Sequence, residues 1–142
     1  MIKVVISNTS GIPIYQQLFD QIGAQIVKGE LPRDFALPPI RTVAKELRVS
    51  IITVKKAWEE LDRRGLIYSV VGRGCFVADL PKHEFVGKRD DLVARRMAKD
   101  VAYYQDMGLS LDEIIEAVTV IYQEREQGID KMSSPISTGE SR

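Results

Sequence analysis

The sequence predicts a mainly α-helical chain with one small β-hairpin, in the α+β class. Three observations lead there. Apolar residues recur at helical spacing in three segments between residues 13 and 64. Two β-rich segments then flank Gly72-Arg73-Gly74, and two longer amphipathic stretches fill residues 85–127.

Taken in order, residues 2–6 are β-branched apart from Lys3, which predicts a short strand. Pro13 suits the start of a first helix, where its missing N–H costs nothing, and Ile14, Leu18, Ile22 and Ile26 share one face of it. Gly29 stops this helix, and residues 30–38, with two prolines and little periodicity, read as a loop. Pro39 opens a second helix with Ile40, Val43, Ala44 and Leu47 on its apolar face, ending near Arg48. Ser50 is placed as an N-cap accepting from the N–H of Ile52 or Thr53. The third helix runs to about Arg64, packs Val54, Ala57, Trp58 and Leu61 inward, and ends at Gly65. Residues 66–71 and 75–77 form the hairpin strands around the glycine turn.

Beyond Pro81 a long helix over residues 85–107 carries Val93, Met97, Val101 and Tyr104 on one stripe. Gly108 ends it. Ser110 and Glu113 make a capping box for a last helix using Leu111, Ile114, Ile115, Val118, Ile121 and Tyr122. From residue 128 to 142 the composition predicts a disordered tail. The expected domains are 1–80, 81–127 and that tail.

Composition sets bounds. With 44% hydrophobic and 28% charged residues, the mix is that of an ordinary soluble domain. The apolar start, Met1 to Ile6, is too short for a signal peptide, and no run is long enough to span a membrane, so the expected location is the cytoplasm. One cysteine, Cys75, excludes an intrachain disulfide, and with the single histidine, His83, it cannot form a zinc finger. No metal site, cofactor or catalytic constellation is expected; Gly72-Arg73-Gly74 lacks the Lys-Ser/Thr of a nucleotide loop. The net charge is zero, but residues 1–80 hold 11 Lys/Arg against 8 Asp/Glu, and residues 81–142 hold 9 against 12. The first part is therefore mildly basic.

Helix, helix, tight junction, helix and hairpin is the order of a winged helix-turn-helix, in which the third helix enters the major groove of duplex DNA. The solvent-facing residues at its start are Ser50, Ile51, Ile52, Thr53, Lys55 and Lys56. Hydroxyls can bond phosphates or bases, lysines neutralise phosphates, and isoleucine can touch a thymine methyl. Arg73 at the wing tip suits a narrow minor groove.

Residues 12–78 closely resemble the GntR family of bacterial regulators. The matching residues are Pro13-Ile14-Tyr15-Gln16-Gln17, then Leu37-Pro38-Pro39-Ile40-Arg41, Val43-Ala44, Leu47, Val49-Ser50, Thr53-Val54, Ala57-Trp58, Leu61 and Gly65-Leu66-Ile67, closing with Gly72-Arg73-Gly74-Cys75-Phe76-Val77. The resemblance implies DNA contacts at Arg41, Ser50, Thr53, Lys55 and Gly72. Two positions depart from the pattern: Pro39 stands where the family usually has Ser, and Ile51 where it often has Arg or another polar residue.

The short C-terminal part resembles the YtrA-like subfamily, whose helices serve dimerisation and whose members often repress transporter genes. Two helices cannot bury both apolar faces, so Val93, Met97, Val101, Tyr104, Leu111, Ile115, Val118 and Tyr122 are the expected homodimer contacts. The function expected is a dimeric repressor of double-stranded DNA on a palindromic operator. The alternative is a winged helix used as a protein-interaction module, which has no need of Arg41, Lys55, Lys56 and Arg73. The sequence names no small-molecule effector.

Overall fold

The apolar faces between residues 13 and 64 close into one core. The protein is described by a computed structural model over residues 2–128. Its elements are α1 (Ile14–Val27), α2 (Ile40–Leu47), α3 (Ile51–Arg63), β1 (Ile67–Val70), β2 (Gly74–Val77), α4 (Lys82–Asp106) and α5 (Leu111–Glu126). The expected tail lies, Gly128 apart, outside the described residues.

Leu18, Ile22 and Ile26 of α1 meet Val43 and Ala44 of α2 and Val54, Ala57, Trp58 and Leu61 of α3. Leu66, Ile67 and Val77 from the hairpin close the cluster. Each large aliphatic side chain buried here stabilises the fold by about 1.5–3 kcal/mol. Ile14, expected on the same face, is only half-buried, because it lies on the first exposed turn of α1.

Local signals set the element ends. Pro13 and Pro39 sit just before α1 and α2 in extended conformation, and each carbonyl accepts the first helical N–H bonds. The Ser50 hydroxyl accepts from the Thr53 N–H at 3.1 Å, as expected for an N-cap. Gly65 has φ +73°, and the Leu66 N–H returns to the Leu61 carbonyl at 2.9 Å, closing the end of α3. α2 ends without a glycine. Arg48 itself takes the left-handed conformation, φ 58° and ψ 45°, in the turn between α2 and α3.

The hairpin is antiparallel, with Ile67 opposite Val77 and Ser69 opposite Cys75. The preceding loop adds a third, partial strand. Ala36 bridges Phe76, and the N–H groups of Asp34 and Leu37 donate to the carbonyls of Val77 and Cys75, both at 2.9 Å. Sequence periodicity missed this pairing because the two prolines interrupt the segment.

The strand predicted at residues 2–6 is a correction. The segment is extended but pairs with no strand; glutamine side chains of α1 take the place of one. Gln25, Gln21 and Gln17 accept the N–H groups of Lys3, Val5 and Ser7 at 3.2, 2.9 and 2.8 Å. Their amide nitrogens donate back to the carbonyls of the same residues at 2.7, 2.7 and 2.9 Å. The spacings make this possible: four helical residues rise about 6 Å, and two extended residues span about 6.7 Å. Ile2, Val4 and Ile6 meanwhile turn toward the core.

The described residues form two compact units, the first ending at Leu92 and the second beginning at Val93. The predicted boundary after residue 80 coincides with the start of α4, whereas the change in packing comes later. Within the first unit, the Lys88 ammonium donates to the Arg64 carbonyl at 3.1 Å, and Phe85 and Leu92 pack against the core. In the second unit, Gly108 turns the chain with φ +91°, and the predicted capping box forms: Ser110 N–H to Glu113 Oε1 at 2.8 Å and Glu113 N–H to Ser110 Oγ at 3.2 Å.

Candidate nucleic-acid interface

The candidate site is built on α3. At about 100° per residue, the inward line of Val54, Ala57, Trp58 and Leu61 leaves Ile52, Lys56 and Glu59 on the opposite side. Ile51, Ile52, Lys55 and Lys56 are exposed in the first two turns, and Thr53 is half-buried. Glu59, Glu60 and Asp62 follow. Their charge repels phosphate, so only the N-terminal half of α3 suits a polyanion. The Ser50 and Thr53 hydroxyls lie 2.8 Å apart and bond each other. The Lys56 ammonium sits 4.0 Å over the ring of Tyr15 on α1, a contact worth about 0.5–1 kcal/mol at an exposed site.

Arg41 stands exposed on the first turn of α2. Lys45, one turn further on, shares its side of the helix, and Arg48 follows in the turn after α2; both are exposed. Sequence reasoning missed these two, although their four- and seven-residue spacing from Arg41 was visible. On the wing, Arg73 is exposed between Gly72, φ +77°, and Gly74, φ +112°, and Val71 beside it is fully exposed. Tyr68 stacks on Phe76 with ring centroids 5.5 Å apart. Its hydroxyl donates to Asp34 Oδ1 at 2.7 Å, which holds the phenol above its ordinary pKa.

Several cations of the first unit away from this face are held in ion pairs. Arg33 pairs with Asp79 at 3.2 Å. Arg63 and Arg64 both reach Glu60, whose carboxyl is held below its ordinary range by the hydrogen bond from Arg63, against the opposing effect of burial. Arg41, Lys55, Lys56 and Arg73 make no ion pair with any described residue.

The same stretch of chain matches a known family. The model of "Bacterial regulatory proteins, gntR family" matches residues 14–77. YhcF of Bacillus subtilis, an uncharacterised HTH-type transcriptional regulator, is 31% identical over 77% of this chain and 89% of its own. The chain belongs to the GntR family. Its other relatives include an HTH-type transcriptional repressor of Salmonella typhimurium, 37% identical over 75% of this chain. This GntR chain spans about half the length of that repressor, 50%. The solved structure of YtrA from Sulfolobus acidocaldarius, a GntR-family transcription factor, is 35% identical over 69% of this chain and 99% of its own, with a TM-score of 0.52. The expected family, the YtrA-like kind and the winged helix followed by two helices are all borne out. Relatives of this kind are transcription regulators, not enzymes.

In the C-terminal helices of this GntR protein, Val93, Met97, Leu111, Ile115, Val118 and Tyr122 are exposed, and Val101 and Tyr104 are half-buried. Tyr103, Met107 and Ile121 are exposed as well, though none was among the expected dimer contacts. Neither α4 nor α5 contains a buried residue. Among the described residues no group of His, Cys, Asp and Glu could hold a metal, and no helix is long and apolar enough to cross a membrane. Cys75 is half-buried, its sulfur 3.4 Å from the Ser69 hydroxyl.

Proposed function

We propose that this protein is a sequence-specific DNA-binding repressor that acts in the cytoplasm as a homodimer on a palindromic operator. The observation that carries the DNA part is the set of unpaired cations, Arg41, Lys55, Lys56 and Arg73, displayed from α2, α3 and the wing of a GntR fold. α3 enters the major groove by its first two turns; Arg41 and Lys55 meet phosphates or bases, Ser50, Ile51, Ile52 and Thr53 face base edges, and Gly72-Arg73 reaches the adjacent groove. The relatives' printed names as repressors support the direction of control. A winged helix that bound only protein would gain nothing from cations left without partners.

Homodimerisation rests on α4 and α5, which contain no fully buried residue and leave Val93, Met97, Leu111, Ile115, Val118 and Tyr122 exposed in the single chain. Two-fold pairing sets recognition helices about 34 Å apart, one turn of duplex, and so calls for inverted half-sites.

Selection of bound fragments from random duplex DNA with the purified protein tests the reading. An inverted repeat should emerge, and affinity should fall with salt at a log–log slope of about −0.9 per phosphate neutralised. Arg41→Ala and Lys55→Ala should each weaken binding, at on the order of 1–3 kcal/mol where a base contact is lost. Affinity unchanged in both variants and across the salt series would overturn the site.

A further inference from the structure

We infer that Ile52 is a specificity-determining residue that reads the C5-methyl of a thymine in each operator half-site. The inference rests on the proposed binding of α3 in the major groove. Ile52 is 76% exposed, more than any other isoleucine among the described residues, and it lies opposite the buried line of α3 in the first turn. Lys55 and Lys56 flank it one turn on, and Arg41 stands on α2, so its surroundings suit a polyanion rather than an apolar protein surface.

Three of the polar side chains nearby have partners within the chain. Ser50 Oγ accepts from the Thr53 N–H and bonds the Thr53 hydroxyl, and the Lys56 ammonium rests on Tyr15. The first turn of α3 therefore offers the groove an aliphatic surface at its most outward point. Among base edges in the major groove, only thymine displays a methyl group; the purines display the N7 acceptor near that place, and cytosine a bare C5–H beside its N4 donor. An isoleucine pressed on those atoms strips their water and returns no hydrogen bond, which disfavours them. The same side chain on a thymine methyl buries apolar surface on both partners.

The test uses the full chain and the operator found by selection. Each thymine is replaced in turn by deoxyuridine, which lacks only the methyl. At one position per half-site the replacement should weaken wild-type binding about fourfold, the worth of one buried methyl-sized group. In Ile52→Ala the thymine and deoxyuridine operators should bind alike, while the salt slope stays that of the wild type. Ile52→Val should keep part of the difference. Val5→Ala, altering an exposed apolar residue of the N-terminal segment away from α3, should keep all of it. Equal binding of thymine and deoxyuridine operators by the wild type overturns the inference while leaving DNA binding intact. So does a deoxyuridine penalty that persists in Ile52→Ala. Failure to select any duplex overturns the proposed function, and this inference with it.

Discussion

At the scale of single residues, Arg48 joins two opposing demands. It ends α2 in a left-handed conformation that costs an L-residue about 1–2 kcal/mol and that glycine adopts freely. It also extends the exposed cations of Arg41 and Lys45. Arg48→Gly should therefore raise stability by about 0.5–1 kcal/mol, less than the full strain because glycine loses more chain entropy on folding. DNA affinity should fall in the same variant, and a denaturant midpoint beside a binding curve reads both. Glu60 supplies a pH test. Its folded-state carboxyl is held below the ordinary value of 4.5 by Arg63 and Arg64, so its contribution is present above that value and is lost as the pH falls through the lower folded-state value. Glu60→Gln should cost about 1 kcal/mol or less at neutral pH, as expected of a solvent-screened pair at a half-buried position, and nothing in acid; chemical denaturation at the two pH values checks it. Residues with local jobs were legible in advance. Ser50 and Ser110 were readable as caps because capping needs only a hydroxyl at a fixed distance from a helical start. The Lys56–Tyr15 contact was not, since it joins two helices whose packing angle no local pattern encodes.

At the scale of elements, the helices were readable from their apolar spacing, and the hairpin from its glycine turn. What escaped was pairing between segments distant in sequence: Ala36 with Phe76, and the N-terminal segment with α1. Gln17, Gln21 and Gln25 are polar residues at four-residue spacing on α1, yet Gln17 and Gln25 are buried. Their spacing matches an extended chain, but nothing local says which chain. Gln25→Ala removes a buried partner of both the N–H and the carbonyl of Lys3 and should cost about 1–3 kcal/mol. Gln21→Ala, at a more exposed rung, should cost less. Denaturant midpoints compare the two, and amide exchange at Lys3 should quicken in the first.

At the scale of the whole molecule, a well-filled first unit is followed by a second, from Val93, whose helical residues include none that is fully buried. The proposed homodimer would supply the missing cover. Sedimentation at micromolar concentration should give a dimer, and Ile115→Asp should give a monomer that keeps its helical circular dichroism, because the residue is half exposed within the single chain. A wild-type monomer with intact helices would defeat the proposed pairing. The glutamine rungs on α1 also bear on how this lineage can change. Each amide grips main-chain atoms and ignores the side chain beside them, so Lys3, Val5 and Ser7 are free to be exchanged for almost anything except proline, which lacks the N–H. The outer edge of the first unit is thus a strip open to mutational drift on a fixed mount, where new surface chemistry can be tried without disturbing the reading head.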